Sequence, residues 1–423
     1  MGQSSKILLG LLGGVLLGGA ARLSGVDSFI SFVTSLEPIG TGFISLITMV
    51  VIPLVVASLT VATASVGGGR SLAGIGARTL AYFLVTTGVA VVIGVGLALI
   101  LHPGTGLDPA TRDALALEFG GDVAAVAPAA AAERGLLDVL VAMIPRNPVA
   151  AAAEMDLLPL IIATVLFGAA VGTIAEDRRR VVIAFFQAIN DTAMVIIQWF
   201  MKLAPYAVFV LIAATVARFG LDLVQRLLLY SFVVVAGCAI HVAGTLTLAL
   251  RFLARVGVVP FFRAIGEAPL LAFSTASSNA TLAVSMDVAE RKLGISNRVT
   301  SFVVPLGATL NMNGSALYKG ATAVFLLQVY GHTIGVQELL TILVTASAAA
   351  VAGVGIPGSS LITTLIVLNA VGLGSNAAAG IALVAGVDRI LDMFRTAVNV
   401  TGDLTCAAFV ARTEGERVEG TLP

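Results

Sequence analysis

Five polar residues lie in one apolar stretch near the end of the chain: Asp388, Asp392, Arg395, Asn399 and Asp403, spaced by 4, 3, 4 and 4 positions. At about 100° per residue on a helix they fall within an arc of about 80°. One face of an otherwise apolar helix is then acidic, basic and amide. An ionised group costs about 2.5–3.5 kcal/mol to place in hydrocarbon, so this face must address its own members, a ligand or ions. A closed salt bridge between Asp392 and Arg395 is one outcome. The three carboxylates outnumber the arginines beside them, Arg389 and Arg395, and a bound inorganic cation or proton would balance the excess. Coupling to a cation gradient follows from that reading.

A second polar interruption, Asn311-Met312-Asn313-Gly314-Ser315, sits in the preceding apolar run. These are poor helix formers, with Gly314 among them. Unwinding there frees carbonyl oxygens, and sodium is held in membrane proteins by unwound carbonyls and carboxylates. A packing kink is the alternative.

These groups need a hydrocarbon-embedded scaffold, and the composition supplies one. Of 423 residues 58% are hydrophobic and 11% charged, with 24 charges of each sign, so the chain reads as an integral membrane protein. The neutral balance and the lack of basic clusters exclude nucleic acid as a partner. Cys238 and Cys406 stand in apolar stretches without metal-ligand spacing and read as buried thiols.

Apolar length places spans near residues 6 to 24, 41 to 66 and 77 to 101. The first reads as a retained anchor. An acidic loop at 102 to 134 follows, then a fourth span segmented by the prolines of Ile144-Pro145-Arg146-Asn147-Pro148, a fifth at 181 to 217 interrupted at Pro205, and a sixth at 223 to 252. The basic loops put both termini in the cytoplasm. Residues beyond Arg412, with Glu414, Glu416, Arg417 and Glu419, read as a solvated end.

The last third departs from this scheme. Residues 257 to 290 hold two short apolar arms around Ser274-Thr275-Ala276-Ser277-Ser278-Asn279-Ala280-Thr281, and 337 to 371 hold two more around Ala352-Gly353-Val354-Gly355-Ile356-Pro357-Gly358-Ser359-Ser360. An arm of roughly 14 residues covers about 21 Å, less than the roughly 30 Å core, so each pair reads as a re-entrant hairpin. Long spans at 297 to 327 and 376 to 411 follow the two hairpins. A hairpin-plus-helix unit is thus used twice, in inverted orientation. Non-helical backbone at that depth must be buried or line a cavity, which points to a binding site.

At these residues the chain resembles the dicarboxylate/amino acid:cation symporter family, through IPRNP at 144–148, the Ser-rich tip at 274–282, PLGATLNMNGSALY at 305–318, GIPGSS at 355–360 and DRILDMFRTAVNVTGD at 388–403. The resemblance implies an all-α membrane protein of eight transmembrane helices and two re-entrant hairpins, an inverted-repeat, elevator-type transporter, as known for the family. It implies a homotrimer in the plasma (inner) membrane. The scaffold would comprise residues 1–75 and 135–218, the moving transport domain 76–101 and 219–412, the outer loop 102–134, and the cytoplasmic tail 413–423.

By the same resemblance Arg395 pairs with the side-chain carboxylate of an acidic amino acid and Asp392 with its ammonium. Thr396, Asn399, Ser315, Ser278, Ile356 and Ser360 complete the substrate shell. Asp403 with oxygens of Gly307, Asn311 and Asn399 forms one sodium site; Thr309 and Met312 with carbonyls at Ala350, Val351 and Gly353 form a second. A third would involve Thr86, Thr87 and residue 313. Here the family's NMDGT reads NMNGS, so Asn313 replaces a carboxylate, and Phe83 replaces a tyrosine. Losing a buried charge weakens a cation site. Ala276 stands where some members carry arginine, a charge Arg389 could supply, and Phe394 where glycine is common.

The reading is therefore a symporter, not an enzyme, importing aspartate or glutamate on a cation gradient, sodium first. The alternative is a proton-coupled carrier of acidic amino acids or C4-dicarboxylates. An intramembrane aspartyl protease using Asp388 and Asp403 lacks the YD and GxGD contexts it needs. A channel would conduct without substrate.

Overall fold

The computed structural model describes residues 3–66, 70–106, 144–153, 157–219, 221–351, 358–374 and 376–419, and every regular element among them is helical. The chain opens with α1 (Gln3–Ser24), α2 (Asp27–Thr34), α3 (Glu37–Met49) and α4 (Val51–Val66). The span expected over 41 to 66 is two helices, because the chain breaks at Val50 and restarts with Pro53 in a first turn, where its missing N–H costs nothing. The short α2 has no counterpart in the sequence reading. Next come α5 (Arg70–Leu101), α6 (Pro148–Ala153), α7 (Leu157–Val171), α8 (Glu176–Met201) and α9 (Ala204–Phe219). The helix α10 (Leu221–Ile240) runs on through π-helical turns at His241–Leu246 and Ala249–Ala254. Most of the acidic loop, from 107 onward, lies outside the described residues.

The expected glycine-rich anchor proves to be a packing face. Gly10, Gly14 and Gly18 recur every four residues along α1, and a Cβ on each would run into the carbonyl oxygens of Pro205, Phe209 and Ala213 on α9. Small residues at that spacing let two backbones approach, which is how helices associate where lipid removes the hydrophobic drive. The opposite side of α1 shows Leu9, Leu12 and Leu16 to the surroundings, α5 shows Leu84 and Val92, and α8 shows Phe185 and Trp199. An outer surface of this kind suits hydrocarbon. Among the described residues, Gly74–Leu101 and Val224–Ala254 are each long and apolar enough to cross a bilayer unaided.

The second half contains α11 (Val258–Ile265), α12 (Glu267–Thr275) and α13 (Ser278–Asp287), then α14 (Asn297–Leu310) and α15 (Asn313–Val329). After these come α16 (Val336–Val351), α17 (Ser359–Ala370) and the long α18 (Asn376–Thr413). The turn between α12 and α13 is tighter than the expected eight-residue tip. Only Ala276 and Ser277 leave the helix, Ala276 in the left-handed region at φ 51°, and the Ser277 hydroxyl caps α13 by accepting the Ala280 N–H at 3.2 Å. Residues 352–357, between α16 and α17, lie outside the described residues.

At the centre is α15, whose 17 residues are all buried. It packs chiefly against α5 and α18, and also touches α10, α16 and α17. Gly94 of α5 makes this approach possible, since a Cβ there would strike the Leu317 carbonyl. One expectation holds only in part: Arg417 and Glu419 are exposed, but the tail is docked rather than free. Glu416 accepts from the Ser296 N–H at 3.0 Å, Glu419 N–H donates to Leu293 O at 2.9 Å, Arg78 and Arg298 hold Glu414, and Val418 is buried. Residues 420–423 lie outside the described residues. Charge pattern alone read as solvation because the partners come from α5 and the start of α14, far away in sequence.

Candidate functional site

The polar stripe of α18 faces inward along its length, with Asp388, Asp392, Arg395, Thr396, Asn399 and Asp403 all buried. Helical side chains lean toward the N-terminus, so Arg395 reaches back over two turns of its own helix. Its Nη1 donates to Asp388 Oδ1 and its Nη2 to Asp392 Oδ1, both at 2.8 Å. The guanidinium also lies over the Tyr318 ring, 3.9 Å from the centroid, a cation–π contact from α15. Its Nε has no partner. Arg389 comes within 3.8 Å of Asp392 Oδ2, so Asp392 lies between two guanidinium groups. The closed ion-pair outcome is therefore present here, and it includes Asp388 as well as Asp392.

The start of α17 is bonded to this cluster. Gly358, at φ 82°, donates its N–H to Asp392 Oδ2 at 3.1 Å, and Ser360 donates through Oγ to Ser315 Oγ at 2.9 Å, so the start of α17 is pinned to both α18 and α15. At the start of α13, Ser278 Oγ is buried without a partner. Phe394 packs edge-on against Phe273 of α12 with centroids 5.0 Å apart, which gives the aromatic ring at this position a packing role. Thr396 spends its hydroxyl proton on Asp392 O at 2.7 Å. Ile356 and Gly353 lie outside the described residues. Between this region and the first half is a cavity of about 30 Å³, lined by Phe43, Val208, Leu211, Gly358, Asp388 and Arg389 among others.

Eight residues beyond Arg395 is a set of oxygen atoms. The break in the preceding helix is confined to Asn311 and Met312; Asn313, Gly314 and Ser315, expected to be unwound, already belong to α15. Asp403 Oδ1 accepts from Asn311 Nδ2 at 2.8 Å, and the same amide reaches Asn399 O at 3.3 Å. Asn311 Oδ1 is buried with no donor. Asn399 Oδ1 accepts the Gly314 N–H at 2.8 Å, and Gly307 O accepts from Asn311 N at 2.8 Å. Gly307 is glycine because a Cβ would enter the Asp403 carboxylate, and a Cβ on Gly402 would meet Asn311 Nδ2 at 2.6 Å. A buried carboxylate, an orphaned amide oxygen and nearby carbonyls form a donor set that suits a hard cation such as sodium. Of the second expected set, Met312 and Ala350 are buried and Thr309 and Val351 are half-buried; Met312 Sδ contacts Asn399 Nδ2 at 3.3 Å.

Thr86, Thr87 and Asn313 do come together. Asn313 Oδ1 accepts from Thr87 Oγ1 at 2.8 Å, while Asn313 Nδ2 donates to Thr86 Oγ1 at 3.3 Å. The amide thus places a donor where a carboxylate would offer a second oxygen. Phe83 is buried beside Tyr82, whose hydroxyl donates to Thr405 Oγ1 at 3.0 Å.

The family model described as the sodium:dicarboxylate symporter family matches residues 4–413. The chain belongs to that family. Membership makes it an integral membrane transporter and not an enzyme. The chain is 33% identical to the "Proton/sodium-glutamate symport protein" of Bacillus subtilis (strain 168), over 98% of this chain and 93% of the relative. It is 34% identical to the "Proton/glutamate-aspartate symporter" of Escherichia coli (strain K12), over 97% and 92%. It is 29% identical to the "Excitatory amino acid transporter 3" of Mus musculus, over 98% and 85%. Two groups at this site escaped the sequence reading, Tyr318 and Lys319, and so did the pairing of Asp388 with Arg395. Asp388 was legible, lying two turns before Arg395 on the same face. Tyr318 and Lys319 stand in α15, and the lysine is itself a signal, a lone charge in an apolar helix.

Proposed function

We propose that the protein is a secondary active symporter that imports an acidic amino acid, aspartate or glutamate, together with cations, sodium first. The observation that carries this reading is the fully buried Arg395, held between Asp388 and Asp392 beneath the Gly358 N–H. A planar fork with an unused Nε suits a carboxylate, which would displace one of the two aspartates. Asp392, released in part, would then receive the substrate ammonium. Ser278, Ser315, Ser360, Thr396 and Asn399, with backbone at Ile356, would supply the remaining hydrogen bonds. The names of the bacterial relatives, which specify glutamate and aspartate, support this choice.

Sodium would be cargo at Asp403, Asn311, Asn399 and Gly307, with a second ion at Thr309, Met312, Ala350, Val351 and Gly353. Filling the first set satisfies the orphaned Asn311 oxygen and offsets the Asp403 charge. The packing supports two bodies. Helices α1 to α4 and α7 to α9 pack largely on one another, whereas α5, α10, α16, α17 and α18 gather around α15, and α12 to α14 pack on α18. We read the second group as the moving body of an elevator, the α11–α13 and α16–α17 pairs as its re-entrant hairpins, and the first group as the scaffold of a homotrimer in the plasma membrane, termini inside.

A second reading, proton coupling, is favoured by the amide donor that Asn313 places among Thr86 and Thr87. Labelled L-aspartate uptake into proteoliposomes separates the two. An inward sodium gradient at equal pH is compared with an inward proton gradient in sodium-free buffer. Uptake driven by sodium alone supports the first reading, and uptake driven by protons without sodium supports the second. Uptake under neither gradient would sink both.

A further inference from the structure

Every face of α15 is covered, yet the helix carries a lysine. Lys319 has no exposed surface, and its Nζ has no hydrogen-bond partner. It lies one turn beyond Ser315, which bonds to Ser360 at the start of α17. The charged groups that act on it are Asp388, Asp392 and Arg395 of α18. From α10 the titratable neighbours of this cluster are Tyr230 and Cys238, and from α15 itself Tyr318. The α5 side presents Val91 and Val95 next to Gly320, α17 contains no titratable residue, and the sole one of α16, Glu338, stands in its first turn.

The local charges decide what Lys319 can be. Asp388 and Asp392 are both bonded to Arg395, and Arg389 stands beside Asp392, so these four groups sum to zero. An ammonium at Lys319 would then be a surplus positive charge in a dry site, with no acceptor for its three N–H groups. An acidic amino acid brings two carboxylates and one ammonium, a net charge of minus one. With such a substrate bound, a neutral lysine leaves the site negative, and an ammonium makes it neutral.

We propose that Lys319 carries the proton that travels with an anionic substrate, being a neutral amine in the empty site and an ammonium in the loaded one. The inference rests on the acidic-substrate reading above. The step is a protonation alone: a proton from solvent adds to the Nζ lone pair as the substrate enters, and the N–H bond breaks as the substrate leaves on the other side. Sodium at Asp403 and a proton at Lys319 then occupy separate places. The cation position that Asn313 weakens is replaced by a charge on the protein itself.

The test measures protons taken up per L-aspartate bound by the purified full-length protein, at fixed sodium. Binding heats are compared in two buffers of different ionisation enthalpy. The expected uptake is about one proton per aspartate, so that above the lysine's own titration the affinity falls about tenfold per pH unit. Lys319→Gln and Lys319→Met are expected to bind aspartate more weakly, with uptake near zero and an affinity flat with pH. Lys319→Arg, permanently charged, is expected to keep the affinity and lose the uptake. Uptake near one that persists in Lys319→Gln and Lys319→Met overturns the proposal, as does wild-type binding without proton uptake. Wild-type protein that binds neither aspartate nor glutamate overturns the acidic-substrate reading, and this inference with it.

Discussion

Asp392 Oδ2 accepts the Gly358 N–H at 3.1 Å while Oδ1 of the same carboxylate accepts from Arg395, so one side chain joins the turn before α17 to the buried guanidinium. On the proposed reading, a substrate ammonium that draws Asp392 away would also release the Gly358 N–H. Asp392→Ala is expected to cost about 2–5 kcal/mol of aspartate binding, the range for truncating one partner of a buried charged pair. Isothermal titration checks this; unchanged affinity would remove Asp392 from the site.

Arg395 bonds two buried carboxylates, and its removal leaves Asp388 without a cation and Asp392 with Arg389 alone, 3.8 Å away. Arg395→Ala is expected to destabilise the protein by about 3–5 kcal/mol, read as a lowered unfolding temperature in detergent, and to abolish aspartate uptake. Arg395→Lys keeps the charge but loses the planar fork, so uptake should fall while much of the stability returns. Full aspartate uptake by Arg395→Ala would show that the acidic side chain is held elsewhere.

Gly307 leaves room for the Asp403 carboxylate, and a methyl group there collides with it. Gly307→Ala should displace Asp403 from Asn311 and raise the sodium concentration needed for half-maximal aspartate binding by about tenfold or more, equivalent to about 1.4 kcal/mol. Sodium titrations at constant ionic strength measure it. A sodium dependence identical to wild type would place the ion somewhere else.

Asn313 offers one oxygen and one N–H to Thr87 and Thr86. Asn313→Asp replaces the donor with a second oxygen and adds a negative charge. The expected result is a steeper sodium dependence of uptake, with one more sodium ion moved per substrate in reversal-potential measurements on vesicles. An unchanged ion count would mean that the threonine pocket does not hold a cation in this chain.

The approach of α1 to α9 depends on glycines that leave no space for a side chain. At Gly14 a Cβ would meet Phe209 O at 2.6 Å. Gly14→Leu should destabilise the first group of helices by about 1–3 kcal/mol, the usual cost of overpacking, seen in the unfolding temperature. Aspartate affinity should be unaffected, because this contact lies outside the site.

Much of the site could be read from spacing. The stripe from Asp388 to Asp403 needed only helical periodicity and the cost of charge in hydrocarbon, and a run of poor helix formers located the break at Asn311. The backward lean of helical side chains even made the Asp388–Arg395 pair legible, since both partners lie on one helix. Contacts between distant segments were not legible. Which atoms meet Asp403 depends on how closely α14 packs on α18, and which residues hold the tail depends on where α5 begins relative to α14. The meaning of Lys319 also waited for tertiary structure: an apolar run with one lysine is compatible with a charge snorkelling to the surface, and only the packing around α15 closes that escape. Sequence sets which side chains share a face of one helix because that geometry is local. Partners across helices are set by the packing of the whole bundle, where close approach at a few glycines decides which polar atoms are satisfied and which are left for a ligand.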